Sequence, residues 1–185
     1  MSAADVYTVR QFEPADAASM YAAVRASLPD LAEWMPWCTP DYAVEQAESW
    51  VAFAQQAWAD RSQFPLAIVE RASGAVVGGV GINQIGWEHR VGNVGYWVSA
   101  PHRGRGVARF AAQQAALLGF GELGLTRLEI VTLPHNTASQ RVAESLGAAR
   151  EGVARNRLVV HGVAYDAVMY SLVPADVAGW GGVVR

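Results

Sequence analysis

The sequence predicts an α/β chain: an α+β arrangement of one mixed sheet with helices on its faces. Three observations predict it. Runs of period two, the mark of strands, alternate along the chain with runs of helical period. Taken in order they give βααβββαβαββ. Near the middle, residues 91–120 (VGNVGYWVSAPHRGRGVARFAAQQAALLGF) read as a strand, a tight Gly/Arg-rich turn and a helix.

The elements follow from residue pattern. Residues 6–12 alternate and form a first strand. Pro14 suits the first turn of a helix that runs to about residue 28. Three prolines make residues 29–40 a loop, or a loop around a short helical turn, although Trp34, Met35 and Trp37 are too apolar for an idle solvent loop. Asp41 is placed to cap a second helix ending near residue 59, with Val44, Ala47, Val51 and Ala54 on one face. Residues 64–70 and 75–83 form a hairpin, its second strand weakened by Gly78, Gly79 and Gly81. Residues 87–90 turn into the central strand, 91–99, where Val94, Tyr96 and Val98 alternate with Asn93, Gly95 and Trp97. Pro101 ends that strand. Val107, Phe110, Ala111, Gln114, Leu117 and Leu118 carry the helical period onward. Residues 126–133 are a strand, and Asn136 or Thr137 opens a short helix stopped at Gly147. Residues 150–160 and 163–173 form a last hairpin around His161-Gly162.

Composition narrows the function. The 185 residues suit one domain, residues 1–174, with a Gly-rich, loosely held tail at 175–185 where Trp180 is free to dock. Hydrophobic residues make up 52% and charged residues 17%, the balance of a soluble folded chain. The net charge of −3 argues against nucleic acid as a direct partner. The lone Cys38 forbids an internal disulfide and suits a reducing compartment. No signal pattern or bilayer-length apolar run is visible, so a cytoplasmic location without membrane partners is expected.

The turn Arg103-Gly104-Arg105-Gly106-Val107-Ala108 carries the chemistry. The first turn of a helix has unpartnered N–H groups at the positive end of its dipole. Two glycines let that backbone approach a ligand closely. Arg103, Arg105 and Arg109 add charge, and the sum is a site for a phosphate or pyrophosphate. It is neither a Walker loop nor the dinucleotide fingerprint. Spacing alone also allows a plain Gly-rich turn with arginines facing solvent.

The segment resembles the acetyl-CoA-binding motif of the GNAT acyltransferase superfamily, Arg/Gln-x-x-Gly-x-Gly/Ala, with Arg103, Gly106 and Ala108 at its fixed positions. Val94-Gly95-Tyr96-Trp97-Val98 is similar to the Ile-Gly-Tyr-Trp-Leu strand of the RimJ/RimL-type branch, whose enzymes acetylate N-terminal amines of ribosomal proteins. Pro134, Asn136, Ser139, Arg141-Val142, Glu144, Leu146-Gly147 and Glu151-Gly152 resemble a second block of that branch. Gly162, Asp166, Tyr170 and Leu172 resemble a third. The resemblance implies the GNAT acyl-CoA N-acyltransferase fold, with its sheet splayed between the fourth and fifth strands, here residues 91–99 and 126–133. It implies acetyl-CoA as co-substrate, with no metal, and its pyrophosphate at residues 103–108. It implies a backbone N–H of Trp97 or Val98 on the thioester carbonyl, Asn136 on the pantetheine arm and Ser139 near the sulfur. Asn and Ser are also ordinary helix caps, the alternative for both.

Two departures stand out. Ala143 occupies the position of a tyrosine acid in many relatives, and Asn93 that of a glutamate serving as base in several. Glu129, His135, His89 and Glu88 are candidate replacements, with Glu129 foremost as a carboxylate among Leu128, Ile130 and Val131. A site without an obvious base suits an α-amine, which titrates near 7.7–8.0 against about 10.4 for lysine. Trp34 and Trp37, with Trp87 opposite, are expected to wall the acceptor cleft, while Asp30, Glu33 and Asp41 attract a cationic amine. An aromatic plug of the core or a homodimer contact are the other readings of that loop. The activity expected is acetyl transfer by direct attack in a ternary complex, to the N-terminal amine of a protein. A small-molecule amine (amino acid, polyamine or aminoglycoside) and a non-catalytic acyl-CoA-binding domain are the alternatives.

Overall fold

The computed structural model describes residues 2–180; residues 181–185 of the expected tail lie outside the described residues. The helices are α1 (Ala3–Val6), α2 (Ala17–Arg25), α3 (Leu28–Ala32), α4 (Val44–Ala59), α5 (Val107–Gly121) and α6 (Thr137–Ser145). The strands are β1 (Tyr7–Gln11), β2 (Phe64–Glu70), β3 (Val76–Gly86), β4 (Val91–Val98), β5 (Arg127–Thr132), β6 (Ala149–Val160) and β7 (Val163–Leu172). They form one sheet in the order β1-β2-β3-β4-β5-β7-β6. Among the described residues every neighbouring pair is antiparallel except β4 and β5, which run parallel with α5 as their crossover.

The first half departs locally from the sequence pattern. The helix expected from Pro14 to about residue 28 is interrupted. Pro14–Asp16 is a 3-10 turn, and the buried Asp16 carboxylate anchors it by accepting from the Glu13 N–H at 2.8 Å and from Arg10 at 2.7 and 2.8 Å. After α2 the chain turns at the buried Ser27 into α3, the short helical turn inside the proline-rich segment. Asp41 does not cap α4. Ala43 is the cap residue, and its N–H donates to Gln46 Oε1 at 2.6 Å, so a glutamine three residues on serves where an aspartate was expected.

Each sheet face has its own core. Phe64, Ile82, Leu118, Leu128 and Tyr170 pack with α5 and α6 on one side. Met20, Val24, Leu31, Ala47 and Val51 pack with β2 and β3 on the other. Trp180 packs against the first core, so the tail is docked as far as it is described. Strand parity sorts β4 between these faces: Val94 and Val98 belong to the α5 side, whereas Trp97 packs on the α2/α4 side.

Two glycines of the central strands carry opposite constraints. A Cβ on Gly78 would collide with the Trp97 carbonyl oxygen and lie 3.2 Å from Val98 Cα, both backbone atoms that cannot swing away. A Cβ on Gly95 would have Asn83 Nδ2, at 3.6 Å, as its sole close neighbour. Gly78→Ala should therefore cost about 1–3 kcal/mol, the range for an overpacked interior, and Gly95→Ala less than about 0.5 kcal/mol. Urea unfolding midpoints of the two variants check this; equal midpoints would contradict it.

Candidate active site

Strands β4 and β5 pair at Val91–Arg127, Gly92–Leu128 and Asn93–Glu129, and at no later residue among those described. Each keeps its outer ladder beyond that point, β4 with β3 as far as Val98 and β5 with β7 as far as Thr132. The strands therefore part while both remain intact. In an antiparallel ladder the bonded residues alternate. The Ser99 N–H donates to Val77 O at 2.8 Å, so counting back by twos turns the N–H groups of Trp97, Gly95 and Asn93 toward β3. Those of Val94, Tyr96 and Val98 point the other way, Val94 still at the last rung with β5 and Tyr96 and Val98 into the gap. Of the two candidates, Trp97 and Val98, it is Val98 whose N–H is directed there.

The turn after β4 is tied to the α2–α3 junction. The Ala100 N–H donates to the buried Ser27 Oγ at 2.7 Å. Arg103 Nε donates to Val98 O at 3.0 Å, and its guanidinium pairs with Asp30 at 2.7 Å. Arg103 thus holds the turn in place, and Asp30 is occupied by it. Arg109 Nε donates to Ser145 O at 3.1 Å, linking α5 to α6. Arg105 is exposed and has no partner among the described residues. Gly104 and Gly106 have φ of +72° and +74°, and open space lies where each Cβ would stand. Among the described residues the N–H groups from Gly104 to Arg109 meet no protein acceptor; the first satisfied one is Phe110, to Gly106 O at 3.0 Å. Six amides at a helix N-terminus, with a cationic side chain beside them, make an anion cradle.

Across the gap stands the start of α6. Asn136 is its N-cap, accepting from the Ser139 N–H at 3.0 Å through Oδ1, while its amide nitrogen has no protein partner among the described residues. The cap role is therefore real, and it leaves the donor end of the amide for a ligand. The Tyr96 hydroxyl crosses from β4 to donate to Ser139 O at 3.1 Å and shares a hydrogen bond with Ser139 Oγ at 3.1 Å. Burial pushes the Tyr96 phenol up to about 12, against the opposing effect of the Ser139 bond, so it is protonated at neutral pH. Tyr96 is a site residue missed from the sequence. The signal was its parity with Val94 and Val98, which carries a polar tip toward α6.

The other face of β4 holds a cavity of about 390 Å³. Its floor is glycine: Gly81 and Gly95 are directly paired across β3 and β4, and Gly79 is paired with Trp97. One end is the Trp97 indole, which packs edge-on to Trp37 with ring centroids 6.0 Å apart. The other end is Asn83, whose Oδ1 accepts from Asn93 Nδ2 at 2.9 Å. Asn93 Oδ1 is buried without a protein partner. Met20 and Trp50 close the walls from the helical side, and Met35 and Trp37 from the segment after α3. His161 at the tip of the β6–β7 hairpin holds the end of α3, just before that segment, through Ala32 O at 2.9 Å.

The other expected wall residues lie elsewhere. Trp34 turns away to pack on His135, centroids 5.3 Å apart, and does not line the cavity. Trp87 sits at the far turn of β3–β4, against Phe64 and under the Arg61 guanidinium at 5.3 Å, and does not face Trp37. A cation and an aromatic neighbour from a distant segment draw its ring off the cleft.

Glu129 stands beside Asn93 in the register, but its carboxylate accepts from Arg127 Nε and Nη2, both at 3.1 Å. Arg127 also donates to Glu151 at 2.7 Å, and Ser171 Oγ donates to Glu151 at 2.7 Å. Hydrogen bonds from Arg127 first, then Ser171, hold the Glu151 carboxyl down to about 2. A carboxylate on an apolar strand thus has a structural reason, an ion-pair ladder across β5 and β6. Glu88 and His89 are exposed in the β3–β4 turn, and His135 is exposed between Trp34 and Tyr165. Among the described residues no side chain of the cavity wall carries a carboxylate or an imidazole. No group of residues suited to a metal ion, and no helix long and apolar enough to cross a membrane, is found among them either.

Known proteins share this architecture. The chain is 27% identical over 173 residues, 93% of each chain, to YdaF of Bacillus subtilis (strain 168), provisionally named a ribosomal N-acetyltransferase. Its fold is similar to that of a protein from Vibrio cholerae provisionally described as a ribosomal-protein-serine acetyltransferase, with a TM-score of 0.80 at 28% identity over 91% of this chain and 94% of that one. It is similar in fold also to the microcin C7 self-immunity acetyltransferase MccE, solved with acetyl-CoA and AMP, with a TM-score of 0.83 at 22% identity over 91% and 93% of the two chains. The Acetyltransferase (GNAT) domain family matches residues 7–149, from β1 into the first residue of β6. With the parted strands and the amide cradle inside the matched span, the chain belongs to the GNAT family of acetyltransferases.

Proposed function

We propose that this GNAT acetyltransferase moves the acetyl group of acetyl-CoA to the N-terminal α-amine of a protein, by direct attack in a ternary complex. The observation that carries the reading is the row of unpartnered amides that follows the parting of β4 from β5, Val98 at the end of β4 and Gly104 to Arg109 through the turn and the start of α5. The turn amides and Arg105 hold the diphosphate. Asn136, through its amide nitrogen, holds the pantetheine arm. The Val98 N–H points where the thioester carbonyl develops negative charge, which is where a fixed donor accelerates acyl transfer.

The chemistry then runs across the sheet. A neutral amine in the cavity attacks the thioester carbon, and the carbonyl oxygen takes up charge against the Val98 N–H. As the tetrahedral species collapses, the C–S bond breaks and the thiolate leaves. Ser139 Oγ gives it a proton and is reprotonated from Tyr96, itself reprotonated from solvent. The new amide nitrogen releases its extra proton to water. Asn83 Oδ1 accepts a hydrogen bond from the amine without taking its proton, and Asn93 holds that amide in place from behind. A wall with no side-chain base favours an amine that is already neutral in part. A lysine amine costs about 3 kcal/mol more to deprotonate than an α-amine. The names of YdaF and of the Vibrio cholerae protein give those relatives ribosomal acceptors, which supports a protein as the acceptor class here and leaves its first residue open.

Two measurements check it. At pH 7.5, a peptide with a free N-terminus should be acetylated at least a hundredfold faster than the same peptide with a blocked N-terminus and one lysine; equal rates or faster lysine transfer would contradict the reading. Ser139→Ala and Tyr96→Phe should each lower kcat by about a hundredfold, the lower end for loss of a general acid, with acetyl-CoA affinity retained. An unchanged kcat in both would remove the relay.

A further inference from the structure

We propose that the acceptor cavity selects an α-amine borne on a large apolar body, aromatic best, and uncharged apart from the reacting amine. This rests on the reading of the cavity as the acceptor's place. About 390 Å³ lies in the range, roughly 300–1,000 Å³, that buries a whole small ligand. The methyl or hydroxymethyl of an N-terminal Ala or Ser would leave most of it without contacts, and a void forfeits the attraction its lining has to offer. The lining is built for an apolar occupant: Met20, Met35, Trp37, Trp50, Leu66 and Trp97 surround the glycine floor.

The polar groups on the wall are all neutral. Gln46, Gln63 and the amide of Asn83 contribute no charge, and Tyr42 is 5% exposed with a hydroxyl that has no protein partner. The acids expected to draw in a cation do not reach: Asp30 is paired with Arg103, and neither Glu33 nor Asp41 lines the cavity. A second ammonium, as in a polyamine or aminoglycoside, would lose its water with no counter-charge to meet it, a strongly unfavourable exchange. The floor exists because Gly81 and Gly95 face each other across the ladder. Any side chain at Gly95 would rise into the space the acceptor body takes, and its Cβ is tolerated there.

The test is a panel at saturating acetyl-CoA: peptides identical except for Ala, Ser, Leu, Phe or Trp at the first position, with phenethylamine and spermidine beside them. The expected result is a kcat/KM at least thirtyfold higher for Phe and Trp than for Ala and Ser, and phenethylamine preferred over spermidine. Gly95→Leu, checked for acetyl-CoA binding by calorimetry, should shrink the Phe-to-Ala ratio at least tenfold. A flat panel, spermidine as best substrate, or an unchanged ratio in Gly95→Leu overturns the selectivity and leaves acyl transfer standing. Acetyl-CoA binding with no turnover on any amine overturns the transferase reading and this proposal with it.

Discussion

The pairing of β4 with β5 ends at Asn93–Glu129, and the site depends on that ending. Backbone amides inside a sheet are normally satisfied by the next strand. Beyond that rung β4 retains β3 on one side and has lost its neighbour on the other, so Tyr96 and Val98 present N–H groups to a gap. An extended ligand with amides of its own is the natural partner for such an edge. The same parting brings the start of α6 opposite β4, where Tyr96 bridges to Ser139. The free Val98 N–H, the facing Asn136 amide and the Tyr96–Ser139 contact, to which we assign the polarising, arm-binding and relay roles, thus all follow from one missing stretch of ladder.

The second organising feature is α3, five residues long. Its N-terminal side holds the anion turn, through Ser27 to Ala100 and Asp30 to Arg103. Its C-terminal side leads into Met35 and Trp37 on the cavity. One short element therefore sets both the turn with the unpartnered amides and one wall of the cavity, the proposed places of donor and acceptor. The exposed Arg103–Asp30 pair contributes little to stability by itself; its value is in placing the turn, since Arg103 also binds the carbonyl of Val98.

What was readable in the sequence was local. The strand, turn and helix of residues 91–120 followed from parity, from two glycines that both adopt positive φ, and from helical spacing. The cap at Asn136 followed from residue chemistry. What could not be read was non-local. Glu129 reads as a spare carboxylate because its cation, Arg127, shows no signal of its role and because Glu151, which shares that cation, comes from the distant β6. Trp87 reads from sequence as a cleft residue because nothing nearby announces Arg61 and Phe64 as its neighbours. The cavity floor needed the register Gly81–Gly95, which a sequence read strand by strand does not supply.

The central claim is that main-chain amides at the parted strands and the following turn bind coenzyme A. Backbone resonances of the ¹⁵N-labelled protein, followed as coenzyme A is added, test it most directly. The account predicts that the largest amide shifts fall on Val98 and on Gly104 through Ala108, with Trp97's backbone amide, bonded into β3, much less affected. Saturable binding that leaves Val98 and the 104–108 amides unmoved would contradict it.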